Sequence, residues 1–441
     1  MPGDVEETKE AFVWIWLPGE TDPVVAGRLI RQGKNLVFTY ESSYFERDNA
    51  IAIYTSELPL KPGLLPLLPG MPMPSCLRDA APDAWGRRVI LDRNLGLRGK
   101  AADTTRLDEL TYLLAAGSDR IGALDFQRSA SNYEPHPPLP ATLEEVIDAA
   151  RRVDEGWSLS HELEQVLKHA VGVGGARPKA LFADGETPLI AKFPAARETY
   201  PVVKVEYLAM AMAARAGLDV AAVNLVSAAG CDVLLVERFD RTPRNESFER
   251  RAMVSGLTLL GLDEGFARYA SYSDLAETVH HRFANASATL KELFGRLVFN
   301  ILVGNTDDHA RNHSAFWDGH QLSLTPAYDI CPQARTGGEA SQAMLITGQE
   351  RLSQLSLALD AAATFLLSEE EAIGLVAAQI ESIGSTWPDL ADEARLAGAE
   401  RNVIWGRQLL NPFAFEGLEG SRGQLADLGD QVREEGRWAI A

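Results

Sequence analysis

Seven consecutive residues, Asp307-Asp308-His309-Ala310-Arg311-Asn312-His313, gather two carboxylates, two imidazoles and an amide. The apolar positions just before them, Leu293, Leu297, Val298, Ile301 and Leu302, repeat as one buried helix face does. Gly304 is suited to end that helix, because glycine takes the left-handed conformation without steric cost. Asp307 and Asn312 then pair a carboxylate that can accept a hydroxyl proton with a neutral oxygen ligand for magnesium. A neutral ligand adds no repulsion beside phosphates. The same residues allow blander readings. An aspartate after a helix-ending glycine often only caps the next helix. His309 and His313 have zinc-site spacing, but alanine follows His309 where a HExxH site carries its glutamate, and no thiolate cluster is near.

Two further segments bear on this chemistry. Ser323-Leu-Thr-Pro-Ala-Tyr328-Asp329 reads as a strand with a carboxylate at its end, a second oxygen ligand or simply a turn aspartate. Upstream, Gly172-Val-Gly174-Gly175-Ala176-Arg177-Pro178-Lys179 leads into a strand, an Asp184-Gly185 turn and a second strand ending near Lys192. Glycines there would let backbone amides approach a triphosphate, and Lys192 would neutralise its charge. The loop lacks the GK[ST] of a P-loop and matches GxGxxG only in part. A helix over 203–216 places Glu206 in its first turn, where it could pair with Lys192 or merely favour the helix dipole. The apolar strand from Cys231 runs into Glu237-Arg238-Phe239-Asp240, a possible adenine-binding hinge or an ordinary strand end. The order of parts is that of protein kinases, although Tyr-Asp-Ile stands where Asp-Phe-Gly would be.

These residues need elements to carry them. The chain of 441 residues is long enough for two or three domains with full cores, and its 46% hydrophobic and 24% charged content is that of a globular protein. No stretch approaches 18 uninterrupted apolar residues, and the acidic first ten residues do not resemble a signal peptide, so a cytoplasmic protein is expected. A formal charge of -20 disfavours direct nucleic-acid binding and suits a basic protein partner. Three distant cysteines, Cys76, Cys231 and Cys331, indicate neither a disulfide framework nor a structural zinc site. Short strands are predicted at 12–17, 25–31, 36–40 and 51–54, then helices from about 84 to 116. The proline-rich stretch 133–140 is read as a domain boundary, followed by a helix at 143–152 and a β section over 168–240. Helices are expected at 273–283, 290–303, 369–383 and 389–410, with a loosely held tail beyond 413.

Four spaced motifs, Gly-Gly-Ala-Arg-Pro-Lys (174–179), Val-Glu-Arg-Phe-Asp-Arg (236–241), Gly-Asn-Thr-Asp-Asp-His-Ala-Arg-Asn (304–312) and Leu-Thr-Pro-Ala-Tyr-Asp (324–329), together resemble the HipA family. Its members are serine/threonine kinase toxins of bacterial toxin–antitoxin pairs. More loosely, Leu77-Arg-Asp-Ala-Ala-Pro-Asp83-Ala-Trp85-Gly86-Arg87 resembles that family's N-terminal subdomain. The resemblance implies ATP and Mg2+ as cofactors. It makes Asp307 the proton acceptor, Asn312 and Asp329 the metal ligands and Lys192 a phosphate contact. It gives Gly174, Gly175, Ala176, Arg177, Pro178 and Lys179 to the ATP loop, and Glu237, Arg238 and Phe239 to adenine. His309, Ala310, Arg311, Asn312, Tyr328 and Asp329 would border the nucleotide. A helix-turn-helix, HipB-like antitoxin is the implied partner, with DNA reached only through it. The implied protein substrate is a translation component such as an aminoacyl-tRNA synthetase. One departure stands out: many members autophosphorylate a serine before the loop, where this chain has Gly172.

The expected fold is therefore α+β and kinase-like, with two lobes, a β-rich N-terminal part and an all-helical C-terminal lobe. The expected divisions are 1–135, 141–255 with Gly-rich loop and hinge, 256–415 with the catalytic loop, and a tail at 416–441. A catalytically silent antitoxin-binding homologue and a metal-dependent phosphohydrolase using Asp307, Asp308, His309 and Asp329 remain alternatives.

Overall fold

In a computed structural model of the chain, residues 8–97, 102–137, 141–168, 177–184, 187–195, 198, 200–244, 247–335 and 337–438 are described. Their contacts divide the α+β chain into two units: one from Met1–Arg197, Ser227–Val254 and Phe316–His320, the other from Glu198–Val226, Ser255–Ala315 and Gln321–Ala441.

The first unit opens with an antiparallel sheet of β1 (Glu10–Ile15), β2 (Val24–Gln32), β3 (Asn35–Tyr40), β4 (Leu64–Leu65) and β5 (Leu124–Gln127), in the order β4-β3-β2-β1-β5. The segment predicted as a strand at 51–54 joins no ladder beyond an isolated bridge from Tyr54 to Leu58. Tyrosine hydroxyls satisfy its backbone instead: the Ile53 amide donates to Tyr40 Oη at 2.9 Å, and Tyr44 Oη donates to the Ile51 carbonyl at 2.9 Å. Short β5, unforeseen in sequence, pairs with β1 from Phe12–Gln127 to Ile15–Leu124. Helices α1 (Ala84–Leu95), α2 (Glu109–Ala115), α3 (Leu143–Glu155) and α4 (His161–Lys168) follow the first strands. A second ladder comprises β6 (Lys179–Asp184), β7 (Thr187–Lys192) and, past β8 (Val223–Ala228), β9 (Cys231–Glu237), with β7 central.

A charge network fastens described residues on the two sides of the proline-rich stretch to one another within the first unit. Arg238 donates to Asp119 at 2.8 Å, to Asp240 at 2.8 Å and 3.0 Å, and to the Arg120 carbonyl at 2.7 Å. Arg241 reaches Asp119, Asp240 and the Gly122 carbonyl at 2.9 Å each, while the Gly122 amide donates to Asp240 at 2.7 Å. Residues 119–122 are thereby fastened to 238–241 across a sequence gap of more than a hundred residues. Burial works to raise the Asp119 and Asp240 carboxyls, yet the two guanidiniums outweigh it and hold both below the usual carboxylate range.

In the second unit, α5 (Val202–Arg215) packs on α8 (Glu369–Glu393). Lys204 lies 3.6 Å from Glu400, and Tyr207 Oη donates to Glu393 at 3.1 Å. Helices α6 (Tyr272–Arg282) and α7 (Ala286–Val303) form its centre, α7 being buried from Leu293 to Val303. Short strands also occur there, at Leu322–Leu324 and the start of Ser314–Trp317, so this unit is not purely helical. The predicted break between 383 and 389 is absent: α8 continues through Pro388, and a separate helix α9 (Gly398–Ile404) follows. The tail expected to be loose forms helix α10 (Gly423–Trp438) and packs on α8. Its glycines are contact notches. A Cβ at Gly429 would lie 2.4 Å from the Phe415 ring, and one at Gly436 would lie 2.1 Å from the Trp405 indole. Among the described residues no helix is long and apolar enough to cross a membrane.

The charge network yields a stability prediction. Arg238→Ala takes from Asp119 and Asp240 one of the two guanidiniums they share and should cost about 1.5–3 kcal/mol in urea unfolding at pH 7. A cost under about 1 kcal/mol would contradict it. Because both folded-state carboxyls are lowered, their stabilisation is present at neutral pH and fades as pH falls below about 3.9.

Candidate functional site

The loop after α7 is set by a helix stop and a buried carboxylate. Gly304 is left-handed, φ +70, and a Cβ there would come within 2.8 Å of the Gln408 carbonyl. Glycine is required on both counts. Asn305 Nδ2 donates to Asn300 at 3.0 Å, turning the chain back on its helix. Asp308 is then buried, 2% exposed, between Tyr272 Oη, which donates to it, and His313 Nε2 at 3.0 Å. Burial first, and the Asp308 charge after it, push the Tyr272 phenol well above its ordinary value, so it stays a donor. Tyr272 and His313 rings meet edge-on at 5.3 Å. Behind the loop, the Gly256 amide donates to the His313 carbonyl at 2.6 Å, and a Cβ at Gly256 would lie 2.5 Å from the Ala310 carbonyl.

Its neighbour has the opposite environment. Asp307 is exposed, so adjacent aspartates divide into one that holds the loop and one that faces solvent. Asn312 is buried; its Nδ2 donates to the Asp307 carbonyl at 3.4 Å, which reserves Oδ1 for another role. The Arg311 side chain reaches Glu264, and His309 Nδ1 is buried without a hydrogen-bond partner.

Three hydrogen bonds lay the Asp329 segment along this loop. The Thr325 amide donates to the Ser314 carbonyl at 3.0 Å, Tyr328 Oη to the Arg311 carbonyl at 2.7 Å, and the Gln333 amide to the Gly304 carbonyl at 3.0 Å. With its one proton given to Arg311, the Tyr328 hydroxyl accepts from Ser314 Oγ at 2.6 Å. The Tyr328 hydroxyl is thus spent on the loop. Arg296, from α7, donates to the Thr325 carbonyl at 2.9 Å and the Asp219 carbonyl at 3.1 Å. Asp329 itself is half-buried and left-handed, φ +60, a conformation aspartate tolerates but that costs about 1–3 kcal/mol. Strain of this kind, held by neighbours on both sides, marks a side chain that must point one way. One carboxylate and one amide oxygen are hard donors of the sort magnesium takes, so Asn312 and Asp329 fit that ion. Among the described residues no three His, Cys, Asp or Glu side chains gather as a metal cluster.

The first unit carries the remaining candidates. Gly172, Gly174, Gly175 and Ala176 lie outside the described residues. Arg177 is half-buried and Pro178 buried. Lys179, assigned to the ATP loop by resemblance, is buried and bound to Asp83 at 3.2 Å. Lys192 ends β7, half-buried, and stands opposite Lys179 and Leu234. Glu237 is exposed at the end of β9. The Arg238 side chain belongs to the charge network, and its amide donates to the Pro188 carbonyl at 3.0 Å. Phe239 is half-buried, edge-on to Phe316 at 5.9 Å. Glu206 lies in the second turn of α5, since that helix begins at Val202; it is buried and carried by the second unit.

Sequence reasoning missed Tyr272 and Gly256, which support the loop from 36 or more residues away and carry no local signature. It treated Asp308 and His313 only as candidate metal or hydrolytic groups. Their five-residue separation, the same as that of Asp307 and Asn312, was the available sign that the loop closes on itself.

Comparison with known proteins establishes the family. The HipA N-terminal domain family matches residues 16–127, and the HipA-like C-terminal domain family matches residues 171–387. A Sinorhizobium fredii protein, Y4mE, named only as a candidate kinase, is 26% identical over 323 residues, which is 66% of this chain and 71% of that one. The serine/threonine-protein kinase toxin HipA of Shewanella oneidensis is 27% identical over 270 residues, 55% of this chain and 61% of the toxin. A solved structure of Shewanella oneidensis HipA with HipB and operator DNA superposes with a TM-score of 0.63 over 97% of both chains at 18% identity, a likeness of fold. Matched by both of its domains, the chain belongs to the HipA family.

Proposed function

We propose that the protein is an ATP-dependent serine/threonine kinase and the toxin of a toxin–antitoxin pair. The observation that carries this reading is the division of labour between Asp307 and Asp308: one carboxylate is sequestered to shape the loop, which leaves the other exposed beside a buried Asn312. In phosphoryl transfer the protein mainly positions groups and stabilises charge. Asp307 orients the substrate hydroxyl and accepts its proton. Lys192 neutralises charge on the ATP phosphates. Magnesium, when bound by Asn312 and Asp329, offsets charge on the phosphate oxygens.

A phosphohydrolase built on Asp307, Asp308, His309 and Asp329 draws less support, since Asp308 already has two hydrogen-bonding partners in a buried setting. The substrate we assign to the kinase is a translation component such as an aminoacyl-tRNA synthetase, with growth arrest as the consequence. A HipB-like antitoxin is the partner, by analogy with the Shewanella assembly that pairs HipA with HipB and operator DNA. The charge of -20 suits a basic adaptor between this chain and DNA. Residues 168–180 contain no serine or threonine, so self-phosphorylation in that segment is not part of the proposal.

With radiolabelled ATP, the wild type should transfer label to protein, and Asp307→Asn should lose at least about 10³-fold in rate, roughly 4 kcal/mol of barrier. Phosphate released to water with no labelled protein would contradict the kinase reading. The exposed Asp307→Asn should unfold within about 0.5 kcal/mol of wild type. Tyr272→Phe, which strips a donor from buried Asp308, should cost about 1–3 kcal/mol in urea unfolding. Equal stability for Tyr272→Phe and wild type would contradict the role given to that phenol.

A further inference from the structure

The motif Pro82-Asp83-Ala84-Trp85-Gly86-Arg87 holds a buried carboxylate that phosphoryl transfer leaves unused. One oxygen of Asp83 accepts from the Gly86 amide at 2.6 Å and caps α1; the other accepts from Lys179 Nζ at 3.2 Å. Both side chains are almost fully buried, 7% and 5% exposed. The rest of the motif holds Asp83 in place. Trp85 is buried, while Arg87 donates to both oxygens of Glu109 and to the Pro82 carbonyl and lies 4.6 Å over the Tyr112 ring. Helix α1 also packs against α4. It therefore grips the chain on both sides of the Gly-rich segment, at α4 before it and at Lys179 after it.

Lys179 faces Lys192 directly across the β6–β7 ladder. Residues so paired point to the same face with Cβ atoms about 5 Å apart, and like charges there repel. The Asp83 carboxylate offsets one of the two charges and draws its ammonium towards α1.

We propose that Asp83 is a positioning residue for nucleotide binding: it anchors the strand that leaves the Gly-rich loop and holds Lys179 away from Lys192, leaving Lys192 to meet the phosphates. The inference rests on the kinase reading. Without the Asp83 charge, buried Lys179 loses the carboxylate that draws it against α1, and the start of β6 loosens with it. ATP affinity falls, while proton acceptance by Asp307 is untouched.

Asparagine caps helices as well as aspartate does, so Asp83→Asn removes the charge and keeps the cap. Full-length wild type, Asp83→Asn, Lys179→Met and the double variant are compared by calorimetric titration with Mg-ATP, by labelled transfer and by thermal unfolding. Asp83→Asn should raise the Kd and KM for ATP about tenfold with kcat within about threefold. The double variant should regain most of that affinity, because removing a buried pair together leaves no orphan charge. Wild-type ATP affinity in Asp83→Asn, or a double variant no better than either single one, overturns the inference alone. Failure of the wild type itself to bind Mg-ATP overturns the kinase reading, and the inference with it.

Discussion

A carboxylate withdrawn from water must be given donors, and Asp308 governs the candidate site through that requirement. Its donors are a phenol on α6 and an imidazole five residues along its own loop. Meeting both bends the chain so that the preceding residue, Asp307, turns to solvent and Asn312 turns inward. The loop is then closed from behind by Gly256, where any side chain would collide with the Ala310 carbonyl. Tyr328, Thr325 and Gln333 lace the Asp329 segment to the same loop. Burial at one position thus determines what is exposed at the next.

A comparable constraint shapes the first unit. Two arginines and two aspartates share one network in which each guanidinium bonds both carboxylates. It joins the turn before β5 to the chain just after β9, so the expected hinge is also a structural tie. Asp83 and Lys179 form a second buried ion pair next to the glycine-rich motif in sequence. In both places a motif visible in the sequence holds the frame: Arg238 and Arg241 within Val-Glu-Arg-Phe-Asp-Arg, and Asp83 within its Pro-Asp-Ala-Trp-Gly-Arg run.

What the sequence revealed divides along physical lines. Helices with a strong apolar face, α6 and α7, were legible to within a few residues, and Gly304 marked the end of α7 because only the left-handed conformation suits that stop. The Asp-x4-Asn loop stood out as a candidate because its polar residues are neighbours in the chain. Side-chain commitments formed over long sequence distances were not legible: Tyr272 to Asp308, Asp83 to Lys179, and the tyrosine hydroxyls that replace a ladder at 51–54. The tail misled for a related reason. Its glycines read as looseness, but at Gly429 and Gly436 they admit aromatic rings that any Cβ would exclude. Pro388, in the gap expected between the helices at 369–383 and 389–410, sits within one helix that Trp387, Leu390 and Ala391 bury on either side of it.

The central claim of the proposed function is that Asp307, Asn312 and Asp329 serve a nucleotide and its metal while Asp308 shapes the loop. A crystal structure of the protein with Mg2+ and a non-hydrolysable ATP analogue tests it most directly. The expected result is the Lys192 amine on the phosphates, with the Asn312 amide oxygen and the Asp329 carboxylate on the metal and Asp307 facing the terminal phosphate. An analogue bound elsewhere, or bound with Lys192 remote from its phosphates, would contradict the account.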